Sequence, residues 1–154
     1  MVNDSISSRL EELGIVLPPA SKPAGTYVSC LVDGDTVYAG GHGPFNGSSL
    51  VCGKVGGDLT PEQGREAARL TGLSILATLQ SKLESLDRVG RIVKVFGMVN
   101  VAPGFDDIPA VINGCSDLLV EVFGEAGRHT RSAVGMAELP FGMATEIELV
   151  AKLA

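Results

Sequence analysis

Apolar residues recur at helical spacing in three stretches of the chain and gather into β-rich runs in five others. Ile6 to Leu13 reads as a short amphipathic helix, stopped by Gly14 and kept from continuing by Pro18-Pro19. Tyr27–Val32 and Thr36–Gly40 lie on either side of Asp33-Gly34, a strong hairpin signal. Gly40 to Gly57 is glycine-rich but keeps apolar residues, so it reads as irregular backbone and not as a linker. Thr60-Pro61-Glu62-Gln63 is the clearest helix start: Thr60 caps, Pro61 suits the first turn and Gln63 completes a capping box. That helix is predicted to run to Leu83 or Leu86, with Leu70, Leu73, Leu76, Leu79 and Leu83 on one stripe. Arg91–Val101 reads as a buried strand. A second long helix opens at Asp106-Asp107, passes through Ile112, Leu118, Leu119 and Val122, and closes at Gly124. Strands over Thr130–Leu139 and Ala144–Leu153 flank a Pro140-Phe141-Gly142 turn.

The element order is therefore ββαβαββ after a leading helix. Two amphipathic helices must bury their stripes on one face of a mixed sheet, which predicts an α+β two-layer fold. If the last two strands form a hairpin with Leu139 opposite Ala144, then Ala137 meets Glu146 and Gly135 meets Glu148. The face away from the helices would then carry Arg131, Ala133, Gly135, Ala137, Glu146, Glu148 and Lys152. Three very small residues at its centre would let another backbone come close. In that register Arg131 lies six residues, about 20 Å, from the row of Glu146. The two would serve one small substrate only from different subunits.

Composition narrows the picture further. With 154 residues the chain is expected to be a single domain, 1–154. Twelve Lys+Arg against 18 Asp+Glu give a net charge of −6, which argues against a broad basic face for nucleic acid or anionic lipid. Charged residues make up 19% of the chain, below the usual value of about 25%, and mean hydropathy is +0.28. This thin charged coat is expected where another subunit covers part of the surface. No run approaches the roughly 20 apolar residues that span a bilayer, and Met1–Ser5 lacks a signal-peptide pattern. Cys30, Cys52 and Cys115 are odd in number and widely spaced, which argues against a disulfide framework and for a cytoplasmic location. His42 and His129 make no zinc-binding spacing with the cysteines, and no GxxxxGK[ST] phosphate loop is present. Cys115 is expected to be a buried helix residue, and His129 to sit on a loop surface.

Arg128-His129-Thr130-Arg131-Ser132-Ala133-Val134-Gly135-Met136-Ala137-Glu138-Leu139-Pro140, followed by Glu146-Ile147-Glu148, resembles the C-terminal signature of the Rid (reactive intermediate deaminase, YjgF-like) family. Gly25-Thr26-Tyr27-Val28 is similar to the family's Gly-Pro-Tyr segment, and Val111-Ile112-Asn113 to its helix-borne asparagine. The resemblance covers residues 23–152, leaving 1–22 as an N-terminal helix and loop extension. It implies a two-layer chorismate-mutase-like fold, assembled as a homotrimer with ligand clefts between subunits. It also implies cofactor-free and metal-free hydrolysis of 2-imino or enamine acids to 2-keto acids and ammonia. By the same resemblance Arg131 holds the substrate carboxylate, while Tyr27, Asn113 and Glu146 line the cleft. Glu146 there orients water or shuttles a proton. Gly40, Gly41 and His42 in the glycine-rich loop, and Ala133 two positions after the arginine, fall at further cleft positions. Gly40 and Ala133 depart from residues common in the family, which marks a divergent, longer subgroup. Alternatives are a trimer that binds small carboxylates without turnover, an endoribonuclease, and a chorismate-mutase-type rearrangement.

Overall fold

The computed structural model describes residues 5–154; Met1–Asp4, the start of the expected extension, lie outside the described residues. Helix α1 (Ile6–Glu12) is capped by Ser5 and buries Leu10. Strands β1 (Cys30–Asp33) and β2 (Thr36–His42) form the expected hairpin, with Gly34 at φ 61° in its two-residue turn. Helix α2 (Pro61–Leu83) begins with the full Thr60/Gln63 capping box. Strand β3 spans Val89–Asn100, helix α3 spans Ile108–Phe123 and ends at Gly124, β4 spans Thr130–Met136 and β5 spans Thr145–Leu153. The fold is mixed α+β, with both long helices on one face of a five-stranded sheet in the order β1-β2-β5-β3-β4.

That order corrects one expectation. The last two strands are not a hairpin: β4 pairs in parallel with the outer side of β3, and β5 inserts antiparallel between β2 and β3. The unit β3–α3–β4 is a parallel crossover, which needs a helix to carry the chain back to the start of the next strand. Pro140-Phe141-Gly142 then carries the chain across the end of β3. Backbone bonds from Val101 N to Met136 O and from Asn100 N to Ala144 O hold the crossing.

The change of partner inverts the faces of β4, because residues paired across strands share a face. Arg131 lies opposite Val95, Ala133 opposite Gly97 and Gly135 opposite Val99. Val95 and Val99 are fully buried under the helices, so these three β4 residues face α3 and not the uncovered side. Gly135 is small because a Cβ there would lie 3.0 Å from both Ile108 Cδ1 and Val101 Cγ2. The uncovered face instead presents Tyr38, Phe96, Met98, Val134 and Val150, with Lys94, Glu146 and Glu148 among them. It is a largely apolar surface with charges set into it.

Candidate functional site

Asn113 and Ser116 sit one turn apart on α3, on the side that faces the β4 edge. Arg131 reaches them from β4: its Nη1 donates to Asn113 Oδ1 at 2.8 Å and to Ser116 Oγ at 3.1 Å, and its Nη2 to Pro109 O at 3.4 Å. All three acceptors are neutral. Asp117, next to Ser116 on α3, pairs with Arg65, while Glu125 and Glu138, the acids flanking Arg131 in sequence, pair with Arg128 and Lys54. Among the described residues Arg131 has no carboxylate within ion-pair distance. The guanidinium is thus braced with its charge uncompensated, beside a cavity of about 230 Å³ lined by Ser116, Asp117, Val120, Arg128, His129 and Arg131.

His129 is half-buried in this cavity and not loose on a loop surface. Its Nδ1 lies 2.6 Å from Gly127 O and its Nε2 lies 2.9 Å from Ser116 Oγ. A carbonyl only accepts, so Nδ1 carries the proton and Nε2 accepts from the Ser116 hydroxyl. Burial pushes the His129 pKa down, opposed by the bond to Gly127, and the Arg131 charge lowers it further. Ser116 and His129 as site residues were not evident from the sequence. The available signal was spacing: Asn113/Ser116 at i,i+3 on a helix and His129/Arg131 at i,i+2 entering a strand.

The remaining candidates are distributed elsewhere. Ala133 follows Arg131 on the same helix-facing side and packs on the core. Glu146 is on the opposite, uncovered face, so in one chain it does not meet Arg131. The separation foreseen on a 20 Å spacing holds instead because the sheet lies between them: their rows on β3 are Val95 and Met98. Gly41 lies directly beneath Glu146, whose carboxylate in this rotamer occupies the space a Cβ would take. Gly40 lines a nearby hollow of about 340 Å³ with Tyr38, Lys94, Phe96 and Glu148. Burial, then repulsion from Glu148, raises the Glu146 pKa. Tyr27 precedes β1 on an exposed loop, where its hydroxyl accepts from Ala24 N at 3.1 Å. Cys115 is fully buried, and its thiol is pushed up to about 12. All three cysteines are free, and no cluster of three His, Cys, Asp or Glu is placed to hold a metal among the described residues. Among the described residues no helix is long and apolar enough to cross a membrane.

His42 lies under α2, at 4% exposure, and is removed from any open cleft. Its Nδ1 donates to Gly40 O at 2.6 Å and its Nε2 accepts from Thr78 Oγ1 at 2.8 Å. Burial lowers its pKa, with the Gly40 bond opposing. The fold therefore favours neutral imidazole, while the unfolded chain titrates near 6.5. The unfolded state binds more protons below that value, so stability is full above it and falls as pH drops through the folded pKa. The urea midpoint is expected to be flat above pH 7 and to fall toward pH 5, and His42→Gln should shrink that fall. A midpoint equally steep in the variant would exclude His42 as a source. His129 contributes in the same direction. Glu146, with its raised pKa, acts with the opposite sign at lower pH.

Residues 7–153 match the family model described as "YjgF/chorismate_mutase-like, putative endoribonuclease". The chain is 42% identical over 150 residues to Protein TCP17 of Trypanosoma cruzi, covering 96% of this chain and 94% of that one. A crystal structure of protein Atu1372 from Agrobacterium tumefaciens, described as of unknown function, superposes with a TM-score of 0.88 at 38% identity, over 97% and 92% of the two chains. A "putative endoribonuclease" from Shewanella oneidensis superposes with a TM-score of 0.94 at 32% identity, over 97% and 100%.

Proposed function

The chain belongs to the YjgF/chorismate-mutase-like family, and from that premise we propose that it hydrolyses small 2-imino or enamine acids to 2-oxo acids and ammonia. The observation that carries this reading is Arg131. Its guanidinium is held by three neutral acceptors, has no acidic partner among the described residues, and borders a cavity. A planar fork offers two parallel bonds to a carboxylate, and a partly desolvated setting strengthens them relative to water. Asn113 fixes the fork in place. No metal or organic cofactor enters the scheme. A homotrimer is part of the same reading, supported by Tyr38, Phe96, Met98, Val134 and Val150 on the uncovered sheet face. Clefts between copies would let Glu146 of one copy serve the Arg131 of another.

The test is release of 2-oxo acid from an imine generated in situ by an amino-acid oxidase. The protein is expected to accelerate release, and Arg131→Ala to lower kcat/KM about 30- to 100-fold, the worth of a charge-assisted pair at ~2–2.7 kcal/mol. No acceleration by the wild-type protein across several amino acids would overturn the reading. One observation favours a second reading, a trimer that binds carboxylates without turnover: the Arg131 cavity contains no carboxylate free of a pairing arginine, since Asp117 bonds Arg65. Calorimetry showing Arg131-dependent binding of 2-oxo acids, with no rate enhancement, would select it. The family model and the Shewanella oneidensis structure carry the description "putative endoribonuclease"; Arg131-dependent RNA cleavage would select that activity, against which the net charge of −6 argues.

A further inference from the structure

We infer that Ser116 and His129 form the proton-transfer pair of the Arg131 cleft, through which the attacking water loses its proton. The inference rests on the imine-hydrolysis reading and adds to it the group that the same chain supplies as base. Glu146 is on the other face of the sheet, and Asp117 is engaged by Arg65. The cavity that exposes Arg131 also exposes Ser116 and His129.

Geometry orders the three groups. Gly127 O fixes the proton on His129 Nδ1, which leaves the Nε2 lone pair for the Ser116 hydroxyl at 2.9 Å. Ser116 Oγ in turn accepts from Arg131 Nη1 at 3.1 Å. The hydroxyl is therefore polarised between a cation and a neutral imidazole. A serine bonded to an imidazole whose far nitrogen is held by a carbonyl is an arrangement for moving a proton from oxygen to nitrogen. Ser116 and His129 are thirteen positions apart in the chain, and the cleft brings them together beside an uncompensated cation.

The steps balance as follows. With the substrate carboxylate on Arg131, water attacks C2 of the iminium. The C–O bond forms and the C=N π pair moves to nitrogen. The water proton passes to Ser116 Oγ as the Ser116 proton passes to His129 Nε2. The imidazolium returns its proton through Ser116 to the amine, making it a leaving group. The C–N bond then breaks with its electron pair on nitrogen, the hydroxyl oxygen closes the C=O bond, and its proton leaves with ammonia as ammonium. Water and iminium acid give 2-oxo acid and ammonium with no oxidant or reductant.

The charged groups around His129 are Arg131 on β4, Arg128 before it and Asp117 on α3. Arg128 pairs with Glu125 and Asp117 with Arg65, so no free carboxylate favours a standing imidazolium. The base form therefore persists through neutral pH.

The experiment measures kcat and KM for in-situ imine hydrolysis from pH 5 to 9, with 2-oxo acid affinity by calorimetry alongside. Wild-type kcat is expected to fall on the acid side with a midpoint below the ordinary histidine value of about 6.5. His129→Gln should lower kcat about 100-fold and abolish the acid limb, with KM and 2-oxo acid affinity within about threefold. Added imidazole should partly restore His129→Ala. If His129→Gln loses its fold, Ser116→Ala reads the same pair, with the same drop in kcat and loss of the acid limb, and with 2-oxo acid affinity lowered only by the loss of one of the three braces on Arg131. A His129 variant that keeps wild-type kcat, or that loses kcat while its acid limb stays, overturns the inference. If Arg131→Ala still abolishes turnover in that case, the imine-hydrolysis reading stands. Absence of turnover in the wild-type protein overturns both.

Discussion

Gly114→Ala is expected to destabilise the protein by about 3 kcal/mol or more, lowering Tm by roughly 6–12 °C. Helix propensity alone predicts the reverse, since Ala is favoured over Gly by ~1 kcal/mol in a helix interior. Sterics decide the sign. Gly114 is the point where α3 presses on α2, and a Cβ there would lie 2.0 Å from the Arg65 carbonyl oxygen. That obstacle is backbone inside a helix, so no rotamer change relieves it and the two helices must separate. Separation loosens the α2–α3 seam, where Leu118 and Cys115 lie close against Gly72, and with it the core that holds Leu118, Leu119, Ile75 and Leu79, all fully buried. It also shifts the α3 turn that bears Asn113 and Ser116. Thermal melts and urea titrations of the variant check the figure; unchanged or raised stability would mean that the helices cross more loosely.

Asn100→Leu should cost about 3 kcal/mol, although it replaces a polar side chain by an apolar one of similar size in a buried place. Asn100 is 2% exposed. Its Oδ1 accepts from Lys54 Nζ at 2.8 Å and its Nδ2 donates to Met143 O at 3.1 Å. Lys54 also donates to Ala137 O and lies 3.5 Å from Glu138. One amide thus joins the glycine-rich loop, the end of β3 and the connection from β4 to β5. Leucine leaves the Met143 carbonyl unpaired and removes a neutral partner from a half-buried ammonium. Removing both partners should cost less than the sum of the single changes, so Lys54→Met combined with Asn100→Leu is expected to recover part of the loss. Strict additivity in urea midpoints would show that the two side chains do not act as a unit.

The local elements were legible because their signals are local. Thr60 and Gln63 close a capping box three residues apart, Gly34 supplies a left-handed turn, and Gly124 ends α3. The location of β5 was hidden, because Pro140-Phe141-Gly142 is an equally good turn for a hairpin and for a crossing. Phe141 takes a left-handed φ of 59°, a choice made by the anchoring of Met143 and Ala144 on Asn100 and not by its own sequence. The same change of partner inverts β4: small residues at Ala133 and Gly135 suggest room for a second chain, whereas Gly135 makes room for Ile108 of α3 and Ala133 packs on the core. Arg131 and Asn113 were legible by resemblance, and the structure brings them into contact. Ser116 and His129 were not, since twelve residues of helix and loop separate two residue types that are individually common. His42 was misread as open to ligand because a glycine-rich setting suggests exposure, while α2 covers it.

The insertion of β5 between β2 and β3 has a consequence for how the chain is made. Every strand that β5 pairs with precedes it, so during synthesis the sheet exists first as two unjoined pieces, β1–β2 and β3–β4. Each piece offers an open strand edge, the kind of surface that recruits other chains. Only Thr145–Leu153, which emerges after all four of those strands, closes both edges at once. Folding is therefore governed by contacts between residues far apart in the chain, which slows it. A nascent chain stalled before Thr145 would be sticky, and the sheet becomes whole only once β5 has emerged and docked.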